Sequence, residues 1–478
     1  MAGRKPKQPH PNPQPTATPT PAPTPTPTPT PTLPASVFNV KDYGAKGDGV
    51  TNDSPAIQAA VSAASAYTHT EVGTVIDIGR ALNRFSVVGG KGSLGRSVME
   101  FGAHADGTTD DSSHIQAAVD AVTATGGGTV YFPAATYAMA SPIALPSGNL
   151  SPLTLLGSGA NIKLTNSTPR FLTWASGSGV TYRMTTVQGF AVDAQNLGST
   201  NFSCFLSDPN SGCSIENLTI KDCILSNVPV YTQAHVFDFS VAASGTAHIS
   251  DVLIENCRAY GGVSGFAIWA PTGSNVNIDR VYVRGCYHDT LNAAPTTFDV
   301  QENYHLGQAG HLGACEVTNC VGYNSWDVGI EVDQPANGLV KDCTIYNPYD
   351  AAGYITNFAL PLGGGGGYCK FENLTTILNA SGNHDGFGIV LEELLGGNPL
   401  GSYDVLNCTF TVESGAGTQN THSALDFWSA NTVEGFTVDG YTITDPTGTA
   451  NSVLVNPSNL SGPHTFSGIT INGSPYSP

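Results

Sequence analysis

Three acidic side chains, Asp299, Glu331 and Asp333, have the spacing to do chemistry together. Each falls at an outward position of a short stretch of alternating apolar residues, "TFDVQE" from residue 297 or "GIEVDQ" from residue 329. If those stretches are strands stacked one above the other, Asp299 and Glu331 sit one rung apart, roughly 4.8 Å. Glu331 and Asp333 are then next-but-one neighbours on one face, roughly 6 to 7 Å apart between Cα atoms. Carboxyls crowded in this way repel each other's charge, which keeps one protonated beside an ionised partner. Hydrolysis of a glycosidic bond needs such a pair: an acid for the leaving oxygen, and a base or nucleophile on the sugar carbon.

The same alignment supplies neighbours. "GFAIWA" at 265, "GYITNF" at 353, "GIVLEE" at 388 and "ALDFWS" at 424 continue the stack. One outward column reads Ala267, Asp299, Glu331, Ile355, Val390, Asp426, and the other Trp269, Gln301, Asp333, Asn357, Glu392, Trp428. Trp269 and Trp428 offer ring faces to sugars, while Gln301, Asn357, Glu392 and Asp426 offer partners for hydroxyls. His288, His305 and His384, in the flanking "CYHDT", "NYHLG" and "GNHDG" loops, are placed to assist proton transfer. A single surface carboxylate on an acidic protein is ordinarily solvation, so the weight lies on the convergence. With no Cys-x-x-Cys pair there is no structural zinc signature. No cofactor is required, and calcium is the one ion that an acidic ladder of this kind admits.

A repeat must position these columns. "IKDCIL", "IENCRA", "VRGCYH", "VTNCVG", "VKDCTI", "FENLTT" and "VLNCTF" set Cys223, Cys257, Cys286, Cys320, Cys343, Leu374 and Cys408 at matching points, 23 to 34 residues apart. Periods in this range signal a repeat architecture. Each repeat holds short alternating strands joined by Asn, Gly and Asp turns, too short for helices. One repeat per coil gives an all-β fold, a right-handed parallel β-helix, with like residues in columns. A propeller or sandwich explains neither a single capped end nor the cysteine column. The column thiols read as buried apolar filler, and Cys204 with Cys213 as the pair placed to form a disulfide.

The cap is written twice. "DYGAKGDGVTNDSPAIQAAV" at 42 to 61 returns as "EFGAHADGTTDDSSHIQAAV" at 100 to 119, Gly44 falling on Gly102 and Asp53 on Asp111. Each copy runs from an extended segment through a Gly and Asp turn to an Asp-capped amphipathic helix. The second copy goes on to the strand "GGGTVYF" and reads as the working N-terminal cap, and the first as its degenerate duplicate. The expected division is a disordered Pro/Thr linker at 1–36, the degenerate cap unit at 37–98 and the β-helix at 99–478.

A formal charge of −19 argues against nucleic acid and anionic membranes as partners. No segment is long and apolar enough to insert in a bilayer, and no apolar core follows "MAGRKPKQ", so no signal peptide is visible. Past Lys370 there is neither Lys nor Arg, so any ligand there meets a negative wall.

"FNVKDYGAKGDGVTNDSPAIQAAV", the Gly-Gly-Thr-Val strand and the Asn-Cys repeats together resemble the pectate-lyase-like β-helix superfamily, in its rhamnogalacturonase/epimerase-like and tailspike-like group. The resemblance implies the fold and a polysaccharide partner, but not one reaction: the group holds hydrolases, lyases, epimerases and non-catalytic members. The Asn-Thr-Asp, His-Gly and Arg-Ile-Lys motifs of polygalacturonases are absent. Tailspike endoglycosidases are similar in setting acidic residues on adjacent rungs, a pattern that Asp299, Glu331 and Asp333 would fill. A lyase or uronate epimerase must neutralise a substrate carboxylate, commonly with Arg or Lys, and no aligned groove position is basic. Hydrolysis of a neutral or weakly charged polysaccharide is therefore the leading expectation. A calcium-assisted lyase or epimerase is the alternative, and a non-catalytic adhesin or phage fibre shaft the third. The group implies an extracellular, cell-surface or virion setting, as a monomer or a homotrimer.

Overall fold

The Asn-Cys and Asp-Cys steps of the repeat are corners. Asp222, Asn256, Asn319, Asp342, Asn373 and Asn407 all have φ between 52° and 56°. Left-handed backbone of this kind costs most residues about 1–2 kcal/mol and is best tolerated by Gly, Asn and Asp. Each corner ends a long strand, turns the chain, and aims the next side chain inward. Cys223, Cys257, Cys286, Cys320, Cys343 and Cys408 are accordingly buried and free. Their thiols point at backbone carbonyls: Cys320 Sγ lies 3.3 Å from Thr318 O and 3.6 Å from Val283 O one rung away. The column is filler, as its spacing suggested.

The computed structural model describes residues 40–46, positions 53, 55–56 and 59–60, and residues 95–477 with interruptions. These fall at 146–151, 167–169, 175–180, 198–201, 204–213, 230–233, 241–245, 263, 270–274, 292–301, 308–309, 326, 358–359, 364–365, 380–385, 394–399, 414–422, 428–430 and 447–459. Cys204 and Cys213 lie outside the described residues. Two compact units divide the chain, Met1–Leu82 and Asn83–Pro478.

The second unit is a right-handed parallel β-helix of about eight turns. Its long strands pair in parallel, residue on residue, so that Ile254, Val283, Val317, Val340, Phe371 and Val405 form one buried column. The outer face of this sheet carries ion pairs, Arg284 with Glu316 at 2.6 Å and Lys341 with Glu372 at 2.9 Å. Short strands follow each corner, and the chain then enters an eight-stranded parallel sheet. Its strands, in spatial order, are β1 (Phe202–Ser203), β2 (Ala234–Ser240), β3 (Ser264–Trp269), β4 (Tyr304–Gly307), β5 (Ile330–Asp333), β6 (Ala351–Thr356), β7 (Phe387–Glu392) and β8 (Leu425–Phe427).

Helix α1 (Ser112–Ala124) closes the N-terminal end, burying Ile115, Ala118, Val119 and Val122 in the same core as the coils. Asp111 precedes it but does not cap it through its side chain. Its buried carboxylate turns back to accept the N–H groups of His104 at 2.6 Å and Ala105 at 3.0 Å, locking the turn that delivers the helix. Asp110 accepts from Ser112 N at 3.1 Å instead.

Within the first unit the same clasp recurs. Val40–Tyr43 forms the 3-10 turn that Val98–Phe101 forms in the second unit, Gly44 and Gly102 follow with φ of 100° and 94°, and Lys46 N donates to Asp53 Oδ1 at 2.8 Å. The duplication read from the sequence is thus a duplication of hydrogen bonding.

Candidate functional site

One aromatic ring fixes the register of the eight-stranded sheet. Tyr304 of β4 stacks on Phe266, and Phe266 on Phe237, with ring centroids 5.4 Å and 4.8 Å apart. Its hydroxyl donates to Cys286 O at 2.9 Å and Val321 O at 2.8 Å, which pins the ring inside the coil. Residues alternate faces along a strand, so His305 points out.

The rung between β3 and β5 is therefore Tyr304–Gly307, whereas the sequence reading assigned it to residues 297–302. Asp299 and Gln301 lie outside the described residues, and the place expected for Asp299, between Ala267 and Glu331, is held by His305. A second correction is one of parity. Glu331 pairs with Tyr354 and Asp333 with Thr356, so Tyr354 and Thr356 are outward, while Ile355 is buried between Val332 and Leu391. Asn357 follows the end of β6, also buried, and is not a column member. The outward columns become Ala267, His305, Glu331, Tyr354, Val390, Asp426, and Trp269, Gly307, Asp333, Thr356, Glu392.

Of the other expected groups, Trp269 and Asp426 are part-exposed column members, and Asp426 accepts the N–H of Phe427 at 2.8 Å. Glu392 accepts a hydrogen bond from the Tyr354 hydroxyl. His288 is not a loop residue on the groove: it sits in the short strand Tyr287–Asp289, wholly buried, on the inward column. Burial drives its pKa down to about 4, so it is neutral. His384 and Trp428 lie outside the described residues.

The sheet brings together a buried acid cluster. Glu302, His305 and Glu331 each place a donor atom within 4.8 Å of the others. His305 Nδ1 stands 3.5 Å from Glu302 Oε2. Asp333 adjoins them and accepts from the Thr356 hydroxyl. None of the five is more than 4% exposed.

Electrostatics divide the carboxyls. Burial, then the charges of Asp333, Glu302 and Asp327, push Glu331 well above the usual carboxylate range. Glu302 moves the other way. Burial opposes its ionisation, but the charge and hydrogen bond of His305, with a further hydrogen bond from Glu331, hold it below the usual value. Asp327, just upstream of β5, is raised to about 8 by burial, by the Glu302 charge and by a hydrogen bond shared with Asp350. Burial and the bond to Glu392 raise the Tyr354 phenol. Tyr354 also packs on a small apolar cluster outside the main core, Val328, Ala351, Phe387 and Val390.

Glu302, Asp327, Asp350 and Tyr354 escaped sequence reading. Three of them lie immediately upstream of a strand, where period-two alternation says nothing. Their only common mark is an acid one to three residues before an apolar run.

From residue 285 to the C terminus the chain has two basic side chains, Lys341 and Lys370. Both engage Glu372, at 2.9 Å and 2.6 Å, on the other sheet. His305 is the cluster's one group able to become cationic among the described residues. If a metal bound, Glu302, His305 and Glu331 are the residues to hold it. One imidazole with two carboxylates suits a first-row transition ion better than calcium, which prefers oxygen alone. Among the described residues no helix is long and apolar enough to cross a membrane.

Comparison with known proteins follows the same lines. A model of the right-handed beta helix region matches residues 203–440. Mannuronan C5-epimerase AlgE5 of Azotobacter vinelandii is 58% identical over 41 residues, 9% of this chain and 4% of that protein. Alginate lyase 7 of the same organism is 56% identical over 41 residues, 9% of this chain and 5% of that protein. This chain thus spans a few per cent of the length of these relatives. Among solved structures, the Agl-KA catalytic domain is 16% identical with a TM-score of 0.50, covering 83% of this chain and 67% of that one. The tailspike protein of Escherichia coli bacteriophage HK620, solved with a pentasaccharide, is 13% identical with a TM-score of 0.49, covering 78% and 65%. The likeness to the Agl-KA catalytic domain is one of fold. A model for rhamnogalacturonase A/epimerase, pectate lyase-like proteins matches residues 37–76 and 95–305, more than half of the sequence, and the chain belongs to that family.

Proposed function

We propose that this chain is a polysaccharide-cleaving glycoside hydrolase acting on a neutral or weakly charged polymer, with Glu331 as general acid. The observation that carries the reading is the buried cluster on adjacent rungs, in which Glu331 is kept protonated beside an ionised Glu302 held by His305. Glu331 delivers its proton to the glycosidic oxygen as the bond to the sugar carbon breaks. Asp333, on the same face of β5 with its Cα atom roughly 6 to 7 Å from that of Glu331, takes a proton from the water whose oxygen joins that carbon. Room for a water between the acid and the base would give inversion of configuration. Glu302 and Glu331, in direct contact, are too close to flank one. Trp269 and Asp426, further along the columns, line the path for neighbouring sugars. The scarcity of Lys and Arg over this half of the chain, where Lys341 and Lys370 are both tied to Glu372 on the other sheet, disfavours a polyuronate.

A second reading, uronate epimerase or lyase, is supported by the names of the short-range relatives and by the Glu302, His305 and Glu331 donor set. A cation there would offset a substrate carboxylate, leaving Tyr354, outside that donor set, to move the ring proton. The test is a polysaccharide panel with three readouts: reducing-end release, ultraviolet absorbance of unsaturated uronates, and deuterium incorporation into uncleaved polymer in D2O. Reducing ends without absorbance support the hydrolase; absorbance or deuterium uptake overturns it for the other reading. None of the three, with retained polymer binding, leaves an adhesin or fibre shaft. Work on a polymer implies an extracellular, cell-surface or virion location, and sedimentation distinguishes monomer from homotrimer.

A further inference from the structure

Behind the site, the short strands contribute an interior column that reads Leu225, Ala259, His288, Gly322, Ile345 and Thr376. His288 breaks its apolar run in the coil that goes on to form β4. Both ring nitrogens are engaged: Nε2 lies 3.2 Å from Gly261 O, and Nδ1 lies 2.8 Å from Asn303 Nδ2. A carbonyl accepts and an amide N–H donates, so the ring is neutral with its proton on Nε2. Asn303 Nδ2 also reaches Tyr323 O at 3.4 Å.

Two glycines make room for this pair. A Cβ on Gly265 would fall 2.5 Å from His288 Nδ1, and one on Gly322 would overlap the Asn303 carboxamide oxygen. Aliphatic side chains would fill such a space without burying polar atoms. A polar pair retained in a core, at the rung that bears the reactive groups, is where local packing rules give way to function. Asn303 stands between Glu302 and Tyr304, one residue from the first partner of Glu331 and two from His305.

We infer that His288 and Asn303 are positioning residues, a buried clamp of one fixed tautomer that holds the backbone at Asn303 and so presents Glu302 and His305 to the acid cluster. The clamp rests on the proton-transfer reading of that cluster, and two independent readouts keep the two apart.

In the full chain carrying 15N-labelled histidine, His288 is expected to show the neutral Nε2–H pattern at pH 7. An Nδ1–H ring or an imidazolium would overturn the clamp. His288→Leu fills the space but loses both bonds, whereas His288→Gln can donate to Gly261 O and accept from Asn303. The Leu variant, folded by far-ultraviolet dichroism, is expected to displace the His305 ring resonances and to lower kcat by about tenfold or more with little change in KM. The Gln variant is expected to recover both. Unmoved His305 resonances and an unchanged kcat in folded His288→Leu would refute the inference. Should that variant not fold, Asn303→Leu, of similar volume but unable to donate to Nδ1, is read in the same way. The resonances are recorded without substrate, so a chain inactive on every polymer discards the hydrolase while the clamp is still judged.

Discussion

His305 Nδ1 lies 3.5 Å from Glu302 Oε2, and both side chains are almost wholly excluded from solvent. Each offsets a charge that the interior would otherwise expel. Removing one partner of a buried pair typically costs about 3–5 kcal/mol, because the other is left uncompensated, while replacing both is far milder. His305→Leu is therefore expected to lower the thermal midpoint by many degrees, and His305→Leu with Glu302→Gln to recover most of the loss. Additive losses in calorimetry would show that the two do not act as a pair.

Glu331→Gln tests the acid. The amide imitates the protonated carboxyl in shape and charge, so the fold is expected to persist with an unchanged or slightly higher midpoint. Turnover is expected to fall about 10²- to 10⁴-fold, the usual worth of a positioned acid or base. Reducing-end assays decide the matter, and activity within a few-fold of wild type removes Glu331 from the chemistry. Asp333→Asn is expected to lose a comparable factor.

Stability should fall as pH rises past neutrality. Asp327 is raised from 3.8 to about 8, so between those values the folded chain holds a proton that the unfolded chain has released. Its contribution is complete below about pH 4 and is lost as pH climbs through 8. Glu331 acts in the same direction. His288 is lowered from 6.5 to about 4, so it costs stability only as pH falls below 6.5. From pH 6.5 to 8.5 the midpoint is thus expected to drop, and Asp327→Asn to flatten the drop. A wild-type midpoint that is level or rising over this window contradicts the assignment.

The corners make a prediction independent of the site. Asn319 has φ of 54°, and Asn319→Ala is expected to cost about 1–2 kcal/mol in urea unfolding, against a smaller change for Asn319→Gly. Equal losses for both would mean that the side-chain amide, and not the backbone conformation, holds the corner.

The fold was legible because its constraints are local and repeated. A left-handed corner admits few residue types, and the inward neighbour of each corner must be small and apolar, so Asn-Cys and Asp-Cys recur visibly. The clasp around Asp111 was legible for the same reason, although the cap role given to its side chain was not the one it fills. Register was harder. "TFDVQE" and "NYHLG" alternate equally well, and only the stacking of Tyr304 on Phe266 with its two carbonyl acceptors selects the second. In "GYITNF" a glycine occupies the interior position, so the parity of Tyr354 and Thr356 could not be inferred from apolar residues. Glu331 and Asp333 were reached because they lie on a true strand. Glu302, Asp327 and Asp350 precede theirs, where only three-dimensional closure of the coil brings them in.

The scarcity of basic residues that shapes the site also shapes the chain's exposure to proteolysis. Trypsin-type enzymes find two cleavage points from residue 285 onward, Lys341 and Lys370, each inside a parallel strand with its ammonium tied to Glu372. A protease must draw an extended segment into its cleft, which here means peeling a rung from both of its neighbours. The half of the solenoid that bears the acid cluster is thereby built to outlast trypsin-type digestion.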